Sequence, residues 1–318
     1  MFQSLTGNCR GGHMIQISLL GSVRVCGRDG RAAHLPTRRG IELFAFLVLE
    51  DGRRFERSLL VEHFWPHLPE ERGRRALNTE LWRLSHSLRS VGMDTDRALQ
   101  RSPIGVGYVG QPGTVVDVDA LRAAMRVIRA IDPAEASRPE IATVEAGVAA
   151  YRGDLLESVY SDWCLLWREN LRAQHTEALE FLLAAAMAHR DWTAGLRHGR
   201  ALLALDPLME HVHRAVMRCH FHNGDRPLAM RQYALCEQLL REELDVEPMD
   251  ETRRIQETIL ALPGRPPKAT AELGGLPRRR TDGTHTPAQK VDMALANVNS
   301  ARHWLEDASR DLHGERPE

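Results

Sequence analysis

The chain has 318 residues, 43% of them hydrophobic and 27% charged, with a formal net charge of −1. This is ordinary soluble composition with length enough for two domains, and it excludes a chain disordered throughout. No apolar run approaches the length of a membrane span, the longest lying near Leu179 to Ala188, and no apolar secretory core follows a basic start. A cytoplasmic protein without membrane contact is expected. Five scattered cysteines (Cys9, Cys26, Cys164, Cys219, Cys236) lack any C-x-x-C spacing, which predicts unpaired, buried thiols rather than a disulfide framework or a zinc module. The small net charge conceals a split: residues 14 to 112 carry 15 basic against 11 acidic side chains, residues 113 to 262 carry 17 against 24. Phosphate binding needs positive charge, so nucleic-acid contact belongs to the first segment.

Residues 1 to 13 show no periodicity and read as a disordered leader. Ile15 to Leu19 alternates with period two, Val23-Arg24-Val25 follows, and GRDG at 27 to 30 predicts a tight turn back toward Leu35, giving a small antiparallel sheet. Thr37 is placed to cap a helix carrying Ile41, Phe44, Ala45, Leu47 and Val48 as far as Gly52. A shorter helix covers about Arg57 to Trp65 and is broken by Pro66 and Pro69. The next stretch, Arg72 to Arg89, dominates the reading. Leu77, Leu81, Leu84 and Leu88 make one apolar stripe. The other face offers Arg74, Arg75, Asn78, Thr79, Trp82, Arg83 and His86, donors suited to phosphates and base edges in a major groove. Glu80 is the one acid between Arg72 and Arg89. Two short strands around a Ser-Pro turn, Leu99 to Arg101 and Val106 to Val109, complete a sheet, three helices and a terminal hairpin: a winged helix. GVGYVG at 105 to 110 has the form G-x-G-x-x-G, but Gln111-Pro112-Gly113 follows where a dinucleotide site needs a helix.

Beyond Val116 the pattern is helical. Asp119 is read as the N-cap of a helix over Ala120 to Ile131, and further helices are expected over about 139–151, 160–189, 193–204, 209–222 and 227–243. Asp191 and Asp225 each precede a helix 34 residues apart, and Leu205 maps onto Leu239 at the same offset, the period of tetratricopeptide repeats. The fold class is therefore an α+β winged helix-turn-helix domain (14–112) followed by an all-α TPR-like domain (113–262). A Pro/Gly-rich linker (263–286) and a last helix (287–318) follow. His211, His213, His220 and His222 cluster without a third ligand on a shared face, Trp163 and Trp167 read as packing anchors, and no catalytic constellation or cofactor motif is present. A non-enzymatic protein without metal or cofactor is expected.

These residues resemble the Streptomyces antibiotic regulatory protein (SARP) type of transcriptional activator, an OmpR-type winged helix joined to a bacterial transcriptional activator domain. The carriers include LLGSVRV at 19–25, TRRGIELFAFLVLEDGR at 37–53, LLVEHFWP at 59–66, RRALNTELWRLSHSLR at 74–89, VDVDAL at 116–121, YRGDLLE at 151–157 and DWCLLWRENL at 162–171. LALDPLMEHVHRAVMR at 203–218 and QYALCEQLLREELDVEP at 232–248 extend it. The resemblance implies binding to double-stranded DNA at tandem repeats, as a homodimer on DNA, and recruitment of RNA polymerase. It implies DNA contacts at Arg75, Asn78, Thr79, Trp82 and Arg83, and a polymerase-facing loop of Pro66, His67, Leu68, Pro69, Glu70 and Glu71. The wing departs from the OmpR pattern: Ile104 stands where arginine is usual, which shifts backbone contact to Arg101 and Ser102. Asp245 replaces the glycine of LREELGVEP. A helical adaptor for protein partners and an effector-responsive repressor on the same fold are the alternatives.

Overall fold

The computed structural model describes residues 15–157 and 159–261; the expected leader, linker and last helix lie outside them. The period-two alternation of Ile15–Ser18 (β1) puts Ile15 and Ile17 in the core, and Arg24–Cys26 (β2) pairs antiparallel to it with Ile17 opposite Val25. The return after GRDG is a single bridge from Cys26 to Ala32 rather than a strand reaching Leu35. Cys26 is disulfide-bonded, which corrects the expectation of five free thiols; Cys164, Cys219 and Cys236 are free and buried.

Thr37 caps α1 (Arg38–Leu49), its hydroxyl accepting from the Gly40 amide at 3.0 Å. Next come β3 (Arg54–Glu56), α2 (Arg57–Phe64) and α3 (Glu70–Arg89). Gly73 lets α2 and α3 touch: a Cβ there would stand 2.3 Å from Val61 Cγ1. Leu77, Leu81, Leu84 and Leu88 are all buried, as their spacing predicts. A short turn of helix, α4 (Thr95–Ala98), leads to β4 (Leu99–Arg101) and β5 (Gly105–Tyr108), and the wing sheet runs β3-β5-β4. A Cβ on Gly107 would lie 2.6 Å from the Arg53 carbonyl oxygen, so the wing glycines answer to a close strand approach and not to a nucleotide.

The chain then returns to its start. Thr114–Val116 (β6) pairs parallel to β1, so the first sheet is ordered β2-β1-β6 and its third strand lies past residue 112. Helix α5 (Asp117–Ala130) opens earlier than expected, which corrects Asp119 as its N-cap: Asp119 sits in the first turn and pairs with Arg122. The acid that matters is Asp117, whose carboxylate accepts from the amides of Leu19 (2.8 Å), Leu20 (2.9 Å) and Val118 (2.9 Å). Burial raises its pKa, and the three amides oppose that rise.

The remaining helices are α6 (Arg138–Ala150), α7 (Asp162–Ala188), α8 (Trp192–Leu205), α9 (Glu210–His222), α10 (Arg226–Leu244) and α11 (Asp250–Ala261). Five fall where periodicity places them, and α11 is additional. Sequential neighbours pack, α5 on α6, α7 on α8 and α9 on α10, the stacking of TPR-like hairpins. Asp191 and Asp225 are both N-caps, and Asp245 closes α10 in the left-handed region at φ 55°.

The winged helix and the helical part share one core. Leu155 bridges to Leu20 and Gly21, and Leu155, Trp163, Cys164 and Leu171 belong to the same buried cluster as Ile17, Phe44 and Leu81. Trp163 packs edge-on against Phe46 at 5.3 Å and is an anchor, as expected. Arg168, buried, donates to the carbonyls of Leu155 (3.0 Å), Leu156 (2.7 Å) and Val159 (3.0 Å), fixing the loop that makes the junction.

Candidate nucleic-acid interface

Helix α3 is amphipathic because its leucines recur at helical spacing, and burying them forces the opposite face outward. Arg74, Arg75, Asn78, Thr79, Trp82, Arg83 and His86 are all exposed on that face, so the structure brings together every residue of α3 singled out from the sequence. Trp82 is 65% exposed and stacks on His86, centroids 5.8 Å apart and planes 12° from parallel. Two large flat side chains one turn apart in water form a surface suited to sugar edges and thymine methyls.

The arginines are not bare. Helix α3 begins at Glu70, which removes Glu70 and Glu71 from the expected loop and puts them in the first turn, where acids complement the helix dipole. They pair with Arg74 (2.7 Å) and Arg75 (3.5 Å). Such exposed pairs are weak and exchange readily for phosphate. Arg83 is different: it donates at 2.8 Å to Glu80, a buried carboxylate that also accepts from the Thr37 hydroxyl. Arg83 is therefore held from beneath. Of the loop itself, Pro66, His67 and Pro69 are exposed, while Leu68 turns in against the core.

The wing stands beside α3. Arg101 reaches Asp96 at 3.3 Å, which Arg89 also holds at 2.7 Å. Ser102 is not a free donor: its hydroxyl accepts from the Gly105 amide (3.0 Å) and donates to the Gly105 carbonyl (3.2 Å), closing the turn. Ile104, 77% exposed, is the apolar tip. Sequence reasoning missed Arg57, the first residue of α2. Its Nε donates to the Ser102 carbonyl at 2.8 Å and its Nη1 to Asn78 Oδ1 at 2.7 Å, joining the wing to α3. Burial lowers its pKa first, and Arg101 and Arg74 lower it further, the mark of a cationic cluster. No local signal in RSLLVEHF betrays this role, because both partners lie far off in sequence.

Within the histidine cluster, His213 is bracketed by the Pro207 carbonyl (2.9 Å) and Gln232 (2.7 Å), and His222 stacks on Trp192 with centroids 4.3 Å apart. Among the described residues no group of three potential ligands is placed to hold a metal, and no described helix is long and apolar enough to cross a membrane.

A winged helix with an exposed polar and aromatic helix face is thus continuous with a TPR-like domain. Residues 116–260 match the family described as bacterial transcriptional activator domain. The chain is 24% identical over 248 residues to the transcriptional regulatory protein MoaR1 of Mycobacterium bovis, covering 77% of this chain and 79% of that one. It is 27% identical over 259 residues to the regulatory protein AfsR of Streptomyces griseus, covering 77% of this chain and 24% of AfsR. A solved structure of Mycobacterium tuberculosis EmbR in complex with a low-affinity phosphopeptide shares the fold, with a TM-score of 0.59 at 19% identity over 78% of this chain and 65% of EmbR. The second half thus matches a bacterial transcriptional activator domain, the whole is similar to SARP-type regulators, and transcription regulation is the function these relatives support.

Proposed function

We propose that the chain is a sequence-specific DNA-binding activator. Helix α3 enters the major groove of double-stranded DNA, the β4–β5 wing lies along the backbone, and two copies sit side by side on tandem repeats near a promoter. Arg75, Asn78, Thr79 and Arg83 supply groove and phosphate contacts, with Trp82, His86, Arg74 and Arg101 at the margins. The exposed residues Pro66, His67 and Pro69, with Glu70 and Glu71, face RNA polymerase. The helical part steadies the paired state or receives a signal.

The observation that carries this reading is the two-faced α3, with seven polar or aromatic side chains exposed over four buried leucines and a wing alongside. The test is binding of the purified chain to DNA upstream of its own and neighbouring genes, at two salt concentrations and beside unrelated competitor. Salt-sensitive protection of two adjacent repeats about one helical turn apart is expected. No preference over competitor at either salt rejects the reading and favours a protein adaptor. Arg83→Ala should cost roughly 1–3 kcal/mol of binding if Arg83 reads a base. In vitro transcription then decides activation against repression.

A further inference from the structure

The Arg57 bridge settles which way the Asn78 side chain points. A guanidinium can only donate, so the Asn78 atom facing it at 2.7 Å is the carbonyl oxygen and Nδ2 is turned outward. Arg57 is itself fixed. Its Nε is spent on the Ser102 carbonyl and its own amide donates to the Ile104 carbonyl at 3.2 Å, so main chain and side chain both tie it to the wing turn. Among the described residues no carboxylate pairs with Arg57, so nothing draws it off Asn78.

An unrestrained asparagine reads adenine with both halves of its amide: the oxygen accepts from N6 while the nitrogen donates to N7. With a charged donor on one of the two lone pairs of Oδ1, that oxygen is the weaker half of the amide toward a base, and Nδ2, with both hydrogens free, is the stronger. Guanine presents two acceptors, N7 and O6, on the same edge, whereas adenine presents one acceptor and one donor left without a partner.

We infer that Arg57 is a specificity-positioning residue which makes Asn78 read chiefly as a donor, so that Asn78 selects guanine where a free asparagine would select adenine. This rests on the DNA-binding reading above. Arg57 acts through Asn78 and through the wing turn, linking what α3 reads to where the wing lies.

The test is selection of bound duplexes from a randomised pool by the full chain and by Asn78→Ala, Asn78→Asp and Arg57→Met. The position whose preference N78A abolishes should carry guanine with the natural chain, favoured over adenine by about tenfold. N78D removes the donors while leaving an acceptor for Arg57, and should lose that guanine. R57M keeps the aliphatic stem but frees Oδ1, and should bring the ratio to about one or reverse it toward adenine. Because N78D leaves Arg57 in place, the inference remains testable if R57M does not fold. Adenine at that position with the natural chain, no position sensitive to N78A, guanine retained by N78D, or guanine retained by a folded R57M overturns it. If the natural chain enriches no motif at all, the DNA-binding reading fails and the inference fails with it.

Discussion

The two halves of the described chain bury different ionisable groups. In the winged helix the buried charges are carboxylates, Glu42 and Glu80, and each holds arginines at the surface: Arg38 and Arg39 on Glu42, Arg83 on Glu80. In the helical part the buried basic side chains are Arg168 and the imidazoles His198, His213 and His220. Acids beneath a basic surface fix the positions of the cations above them. Burial of the His198 and His220 imidazoles inside the helix hairpins lowers their pKa and so opposes their protonation. Buried carboxylates in one half thus hold surface arginines in place, and a buried guanidinium in the other holds main-chain carbonyls.

The sharpest way to break the comparison is at Arg168, the charge that belongs to the junction. Arg168→Ala leaves three buried carbonyls without donors and should cost roughly 3 kcal/mol or more. Because the core is shared, thermal unfolding should shift as one transition. Two separated transitions, with the winged helix unmoved, would show the halves to be independent.

Acid comes next. Burial holds His175, His198 and His220 below their ordinary range near 6.5, with Arg197 adding to the effect at His198 and Arg200 at His220. Between each folded pKa and about 6.5 the unfolded chain takes up the proton and the folded chain does not. Stability is thus complete above that range and falls as pH drops through it, by no more than about 1.4 kcal/mol per pH unit for each group. Hydrogen exchange at pH 7 and pH 5.5 should show protection lost first in α7 to α9. Earlier loss in α3 would reverse the assignment of roles.

Glu80→Gln should weaken the hold on Arg83 and cost about 1 kcal/mol of stability. DNA affinity should fall although the change makes the surface more positive; a rise in affinity would mean that Glu80 only screens Arg83. The smallest effect is at Asp245, in a left-handed conformation that glycine adopts without strain. Asp245→Gly should stabilise the fold by about 0.5–1 kcal/mol in urea unfolding and leave DNA binding unchanged.

What sequence made legible was whatever is periodic. The leucine stripe of α3 and the helix spacings of the TPR-like part repeat within one element, so their faces follow from the residues alone. The strands β3 and β6 escaped because their partners, β5 and β1, lie far away in sequence and no hairpin turn announces the pairing. The same non-locality hid Arg57, whose partners are 21 and 45 residues distant, and shifted attention from Asp117 to Asp119. Glu70 and Glu71 were placed in a loop because Pro69 reads as a break; proline is also a common way to start a helix, and here α3 begins directly after it.

The parallel pairing of β6 with β1 has a consequence during synthesis. A ribosome adding about 5–20 residues per second needs several seconds to pass from the end of β1 to β6, and longer to reach Leu171. Through that interval α3 is already made, yet β1 keeps an unpaired edge and the core lacks Leu155 and Trp163. The exposed polar face of α3 thus exists before the body that carries it, and the shared core closes only when the first helices of the second half have emerged.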